Sequence, residues 1–436
     1  MNLRDEQLET YRNFLKIPSI SAKKMGIEKA ASFLKDLLEA KGIRSQVMKT
    51  SGHPVVYGEY SIGADRTLLI YNHYDVQPID PESEWNTDPF SANVKNGRIY
   101  ARGSSDNKGT LIARVFGAED AIINNELNVN LKFFYEGEEE IGSPNLHEFV
   151  SRNKDLLNTD AVIMEGSQLG DGDRPVVALG VKGLLYVELK EEIGGTDLHS
   201  SNAAIVPNPA WNLIAALNSI YDGRQVLIPG FYDNIRPITD KEESILSEYP
   251  FDEEEMKRSF ALKAFRYSGS GKLIRELFTS PTCNIDGIIS GYNEEGSKTV
   301  TPRRASAKLD FRLVPDQDPS KIYANLKRYL KEEGHSLEIM DFGQEFPART
   351  DPGSALARAM IASAEQTYGK KPVVMINSPG TQPMAIFTRE LGIEECVSAI
   401  GVGDRTSRAH APNESVCVEN FYMAIDHTRN FLKVFR

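Results

Sequence analysis

Apolar positions along this chain follow two rhythms. Short apolar runs, LLIYNHYD (68–75), VNLKFFYEGEEE (129–140) and AVIMEG (161–166), predict strands over 68–71, 129–135 and 161–164. They alternate with helical spacing in EKAASFLKDLLEAK (28–41), closed by Gly42, and in a further stretch near 108–123. Strands and helices in that order read as an α/β unit with a mainly parallel sheet.

From about residue 182 the rhythm changes. GLLYVELKEE and RASAKLDFRLV (304–314) alternate apolar with polar residues, and helices are predicted over 208–220 and in DPSKIYANLKRYLKEEG, where Ile322, Leu326, Tyr329 and Leu330 share a face. That is the pattern of a small α+β unit, an antiparallel sheet with helices on one side. A helix near 354–367 and the strands PVVMIN and VSAI then resume the first rhythm. The α/β unit, 1–180 together with 350–436, is therefore interrupted by the α+β unit, 181–349. Residues 221–280, with the acidic DKEESILSEYPFDEEEMKRS, carry weak helix and loop signals and read as an elaboration near the junction.

Composition narrows the function. A chain of 436 residues exceeds what one hydrophobic core usually serves, in keeping with two units. The balance of 50 basic against 62 acidic residues, a net charge of −12, argues against nucleic acid or an anionic membrane as the main partner. Cys283, Cys396 and Cys417 form no CxxC pair, so neither a disulfide framework nor a thiolate zinc site is indicated, and they read as buried thiols. The N-terminal MNLRDEQLETYRNFLKI is a charged amphipathic helix with no signal-peptide core, and no run reaches membrane-spanning length. A cytoplasmic protein is expected.

Several apolar runs end in a group that can hold a metal. His73 and Asp75 follow the first strand two residues apart, so Asp75 can fix the His73 imidazole in one tautomer; the bland alternative is a surface histidine near a turn. In ARGSSDNKG (101–109), Asp106 precedes a helix predicted to begin near Lys108, whose first amides can support its charge, although a capping role alone accounts for such an aspartate. Glu138, Glu139 and Glu140 follow a buried strand, where mutual repulsion is costly without a cation, whereas most acidic runs are solvated faces. Glu165 follows VIM directly, and His410 lies in DRTSRAHAPNE after VSAIG. Carboxylates mixed with imidazoles suit zinc, manganese or cobalt, and two histidines with three carboxylates suffice for two adjacent ions sharing a bridge.

Taken in order, HxD, RGxxDNKG, a Glu-Glu pair before xGS, a strand-terminal Glu, DLHSS, RLVP and AHxxNE resemble the di-zinc metallopeptidase family of carnosinase, aminoacylase, glutamate carboxypeptidase and succinyl-diaminopimelate desuccinylase. The resemblance spans residues 10–430 and is strongest to the carnosinase-like dipeptidase branch. It implies a zinc-peptidase-type catalytic domain with a dimerisation or lid domain inserted. By it Asp106 bridges two divalent ions, zinc first, with manganese or cobalt as alternatives. His73 and Glu165 complete one site, Glu140 and His410 the other, and Glu139 is the general base. Glu138 is expected to be structural or solvated.

The same resemblance implies that His199, in DLHSS, reaches the active site of a partner subunit to stabilise the oxyanion, and hence a homodimer through the inserted domain. Arg312, in DFRLVP, is implied to fork onto the substrate's free carboxylate, with Thr299 and the Gly380-Thr381 turn as neighbouring hydrogen-bonding elements. The strand-terminal ligand is Glu165 rather than Asp, which leans toward carboxypeptidases and deacylases, while RLVP and AHAPNE lean toward dipeptidases. The expected activity is hydrolysis of the amide bond next to a free C-terminal carboxylate in dipeptides or short peptides. An N-acyl amino acid deacylase is the alternative. A non-catalytic binding protein on the same scaffold would predict a missing ligand or base, and none is missing.

Overall fold

The computed structural model describes residues 3–166 and 168–436. Its larger sheet has eight strands in the order Arg44–Met48, Val55–Tyr60, Asn130–Glu136, Thr67–His73, Ala161–Met164, Glu395–Ala399, Val176–Ala178 and Val373–Met375. The four central strands run parallel, with Ile70 opposite both Phe133 and Ile163. This gives a mixed α/β fold with a mostly parallel central sheet.

Burial on both faces explains the unbroken apolar runs. Leu68 and Ile70 point into one core with Phe133, Ile163 and the helices Ile27–Ala40, Gly109–Ile123 and Val418–Val434. Leu69 and Tyr71 point into a second core with Phe134, Val162, Met164 and Phe387. Each fully buried aliphatic side chain of this kind contributes about 1.5–3 kcal/mol of transfer free energy. Helices Gly109–Ile123 and Val418–Val434 touch so closely that a Cβ on Gly117 would lie 2.5 Å from Thr428, which only glycine avoids. Because the strands are in register, with His73 opposite Glu136, their carboxyl ends form one rim.

The smaller sheet is antiparallel, in the order Thr282–Ser290, Arg304–Leu313, Gly183–Glu192, Glu338–Glu345. Helices Pro209–Ile220 and Pro319–Glu332 cover one face, burying Leu213, Ile322 and Leu326 on Leu185, Val187, Leu309 and Phe311. The chain leaves and re-enters the large unit through paired segments Gly180–Val181 and Ala348–Arg349. Residues 221–280 contain the helices Asp240–Glu248, Glu253–Ser259 and Ser270–Thr279. Two of them pack Leu246, Ile274 and Phe278 onto Ile376 of the large unit, and Glu242 pairs with Arg349 at 2.9 Å, so the elaboration bridges the junction.

Some expectations need correction. Only Cys396 is buried; Cys283 and Cys417 are partly exposed, and all three are free. The helix expected near 108–123 is present as Gly109–Ile123, and it follows a tight turn over Ser104–Lys108 in which Asp106 leaves helical geometry. Among the described residues, no helix is long and apolar enough to cross a membrane.

Candidate metal centre

The rim of the large sheet gathers the acids and imidazoles that the sequence singles out. His73 ends its strand fully buried, with Nδ1 at 3.1 Å from the Asp75 carbonyl and 3.4 Å from its Oδ1. A carbonyl only accepts, so Nδ1 carries the proton and Nε2 is left as the ligand atom. That nitrogen faces Asp106 Oδ1 at 3.1 Å and Glu165 Oε2 at 2.9 Å. The other Asp106 oxygen, Oδ2, lies 3.0 Å from His410 Nε2, which is 3.2 Å from Glu140 Oε2. One carboxylate thus serves two pairs, His73 with Glu165 and Glu140 with His410.

The turn carrying Glu139 and Glu140 is held from below. Asp75 accepts the backbone N–H groups of Glu139 at 3.3 Å and Glu140 at 3.1 Å, so one aspartate orients both His73 and this turn. Gln77, which sequence reasoning passed over, donates to the Glu140 carbonyl at 3.1 Å and to its Oε2 at 2.9 Å. Glu139 Oε2 stands 3.9 Å from His73 Nε2. Glu138 is buried and turned away, accepting from the His53 N–H and from Asn145 Nδ2, both at 2.9 Å, which makes it structural.

Electrostatics favour cations here. Burial, then the charge of Glu165, holds the Glu139 carboxyl well above the usual carboxylate range, with His73 opposing. Burial also raises Glu165. Burial alone would raise Asp106 too, but hydrogen bonds with His410 and His73 outweigh it and the net direction is down. Hydrogen bonds with Asp106 and Glu140 push His410 up to about 10. Four carboxylates against two imidazoles leave a surplus of negative charge even with both rings protonated. Among the described residues, Glu140 Oε1 is buried without a hydrogen-bond partner, an expensive arrangement unless a positive charge satisfies it. Ligand atoms of His73, Asp106 and Glu140 all lie within 4.8 Å of one another. The donor set fits divalent cations.

The turn that carries Asp106, ahead of this helix, aims its own amides at a different carboxylate. The N–H groups of Gly103, Ser105 and Asp106 point at Glu414, a fully buried carboxylate at the end of AHAPNE. Glu136 was also missed. It sits opposite His73 in the ladder, accepts from Tyr71 at 2.5 Å and Ser143 at 3.0 Å, and is pushed up to about 8 by burial. In the sequence it is merely one more glutamate in an acidic run.

The remaining candidates form two further groups. Arg312 donates to Asp310 at 3.2 Å and to Thr381 Oγ1 at 2.9 Å, and Thr381 donates to the Lys182 carbonyl at 2.9 Å. The Gly380 carbonyl accepts the Lys182 N–H at 3.1 Å, so Arg312, Gly380 and Thr381 meet at the junction of the two units. Lys182, unflagged by any motif, donates its Nζ to the Ser280 carbonyl and is lowered to about 8 by burial and then by Arg312. His199 and Thr299 pair at 3.2 Å on the exposed surface of the small unit. Among the described residues, neither contacts a member of the metal cluster of its own chain.

The profile of peptidase family M20/M25/M40 matches residues 69–433. The chain is 27% identical to a Cys-Gly metallodipeptidase of Candida albicans, over 96% of this chain and 92% of that protein. It is 29% identical to the human Beta-Ala-His dipeptidase, over 88% and 77% respectively. The crystal structure of an M20 family metallo-carboxypeptidase from Sulfolobus solfataricus superposes with a TM-score of 0.94 at 51% identity, covering 100% of this chain and 99% of that one. The chain belongs to peptidase family M20/M25/M40 and is a hydrolase of the metallopeptidase type.

Proposed function

We propose that this protein hydrolyses the amide bond next to a free C-terminal carboxylate in dipeptides or short peptides. The observation that carries the reading is the division of the Asp106 oxygens between two ligand pairs, with Glu139 beside Glu140 and outside both pairs. His73, Asp106 and Glu165 would hold one ion, and Asp106, Glu140 and His410 the other. Bound there, two divalent cations supply Lewis-acid charge for the scissile carbonyl and the attacking water.

The protein's own groups handle the proton and the substrate. Glu139, beside Glu140 and outside both ligand pairs, takes a proton from the attacking water as its oxygen bonds to the carbonyl carbon. When the C–N bond breaks, Glu139 delivers that proton to the departing amine nitrogen. Arg312, its guanidinium held by Asp310 and Thr381, pairs with the substrate carboxylate. The Ser201 N–H donates to His199 Nδ1, so Nε2 carries the ring proton and is a donor suited to an oxyanion. Its separation from the cluster of its own chain supports a homodimer in which the partner subunit's His199 completes the site. The exposed edge strand Thr282–Ser290, with Ile288 and Ile289 bare, and the bare Trp211 and Ile214 supply an apolar surface for such a contact.

A carboxypeptidase or N-acyl amino acid deacylase is the second reading, favoured by Glu165 at the strand end and by the 51% identity to a metallo-carboxypeptidase. All of these reactions share the C-terminal carboxylate and differ at the other end of the substrate. The test is metal content of protein purified without added metal, together with hydrolysis of dipeptide, longer peptide and N-acyl amino acid panels. About two transition-metal ions per chain with chelator-sensitive cleavage of dipeptides is the expected result. Preference for N-acyl amino acids would favour the second reading. No ion and no turnover after reconstitution with zinc, manganese or cobalt would rule out both.

A further inference from the structure

The AHAPNE segment supplies His410, but its last residue has no part in the chemistry above. Glu414 is fully buried, and its carboxylate collects four donors. Oε1 accepts the N–H groups of Ser105 at 2.7 Å and Asp106 at 3.1 Å; Oε2 accepts the N–H of Gly103 at 3.0 Å and Arg102 Nη1 at 2.7 Å. Three amides of one short turn thus converge on a single side chain, an anion-binding concavity filled by the protein itself. Arg102 is locked in turn by the Pro78 carbonyl at 3.1 Å and lies over the Trp85 ring at 5.3 Å.

The consequence is geometric. Asp106 must aim one oxygen at His73 and the other at His410, yet its backbone leaves the helical region inside a tight turn and gains nothing from a regular element. The peptide that carries it is fixed by the bond from its own N–H to Glu414, four residues beyond His410. One carboxylate therefore ties the loop bearing the shared ligand to the loop bearing a terminal ligand.

We propose that Glu414 is a positioning residue that sets the aim of Asp106 relative to His410, and so determines whether the second cation of the pair is held. The inference rests on the reading of Asp106 as the shared ligand. Groups that orient metal ligands in this way affect affinity by about 10- to 100-fold when removed.

The experiment is a titration of chelator-stripped protein with Zn²⁺ in competition with a chromophoric chelator, and with Mn²⁺ followed by electron paramagnetic resonance. The parent should take two ions and show the exchange coupling of a carboxylate-bridged manganese pair. Glu414→Gln keeps the shape but puts an amide where an acceptor is needed. It should bind the weaker ion about 10- to 100-fold less tightly and lose the coupled signal, with an unchanged circular dichroism spectrum. A purely structural Glu414 would lower the melting temperature and leave both affinities and the coupled signal alone, and that result would overturn the proposal. Should Glu414→Gln not fold, Arg102→Met removes one anchor of the same carboxylate, and the same two outcomes decide. A parent that takes up no pair of ions would overturn the metal reading itself, and the proposal with it.

Discussion

The rim of the large sheet and the exposed face of the small one carry different parts of the same proposed reaction in opposite ways. At the rim, the proposed ligands come from strand ends and loops of one chain and stand within about hydrogen-bond reach of each other. On the small unit, His199 and Thr299 face solvent, paired only locally. A buried cluster can be preorganised by its own fold, because the packing that buries it also fixes it. An exposed histidine gains a fixed place in the chemistry only from a second surface.

The largest effect that sharpens this contrast belongs to the rim. Glu139→Gln should lower kcat by about 10²- to 10⁴-fold, the usual worth of a positioned proton-transfer group, while both ions stay bound. Parent-like turnover in that variant would remove Glu139 from the mechanism and leave the rim as a binding site alone. The next effect crosses between the regions. His199→Ala should lower kcat by about 10²- to 10³-fold, as loss of an oxyanion donor does, with ion content intact. Because the two residues are proposed to meet only across subunits, mixing Glu139→Gln with His199→Ala chains under conditions of subunit exchange should restore up to about a quarter of the parent rate, since mixed twofold dimers carry one complete site. No recovery on mixing, with exchange verified by mass, would place His199 outside the partner's active site and break the comparison.

These two regions were also unequally legible in the sequence. His73, Glu139, Glu140 and Glu165 each follow an apolar run, so the rule that ligands collect at the carboxyl ends of parallel strands places them together without any coordinate. Glu414 and Gln77 escaped because three of the four donors to Glu414 and one of the two acceptors of Gln77 are backbone groups, which leave no mark on residue type. The edge strands Thr282–Ser290 and Glu338–Glu345 escaped for another reason. Neither has a fully buried residue, so no strict alternation is imposed, and Ile288 and Ile289 stand exposed side by side where a half-buried strand would alternate. The helix Asp240–Glu248 did announce itself through the Thr239–Glu242 capping box, a signal masked by the acidic residues around it.

Arg312 lies between the two regions and gives a smaller, selective effect. Arg312→Met removes a charge-assisted contact worth about 1.5–3 kcal/mol, so kcat/KM for substrates with a free carboxylate should fall about 10- to 100-fold. C-terminally amidated analogues, which lack that carboxylate, should be nearly unaffected. An equal fall for both kinds of substrate would mean that Arg312 supports the junction through Asp310 and Thr381 and does not read the carboxylate.

The smallest effect separates the regions optically. The chain has two tryptophans, and each belongs to one side of the comparison. Trp85 lies under Arg102, next to the turn that bears Asp106, and donates its ring N–H to the Ile79 carbonyl at 2.9 Å. Trp211 stands 69% exposed on the helix Pro209–Ile220 of the small unit. In a Trp211→Phe variant, stripping and restoring ions should shift the remaining emission, because the Asp106 turn, Glu414 and Arg102 form one bonded chain up to the Trp85 ring. In a Trp85→Phe variant, the same cycle should leave the emission unchanged, whereas dilution should move it to longer wavelength as subunits part and the ring meets water. Emission that ignores dilution, in a protein that sediments as a monomer throughout, would leave His199 without a second surface. The small unit would then act on its own active site only by closing over it, and the contrast between a self-sufficient rim and a partner-dependent face would give way to a single-chain mechanism.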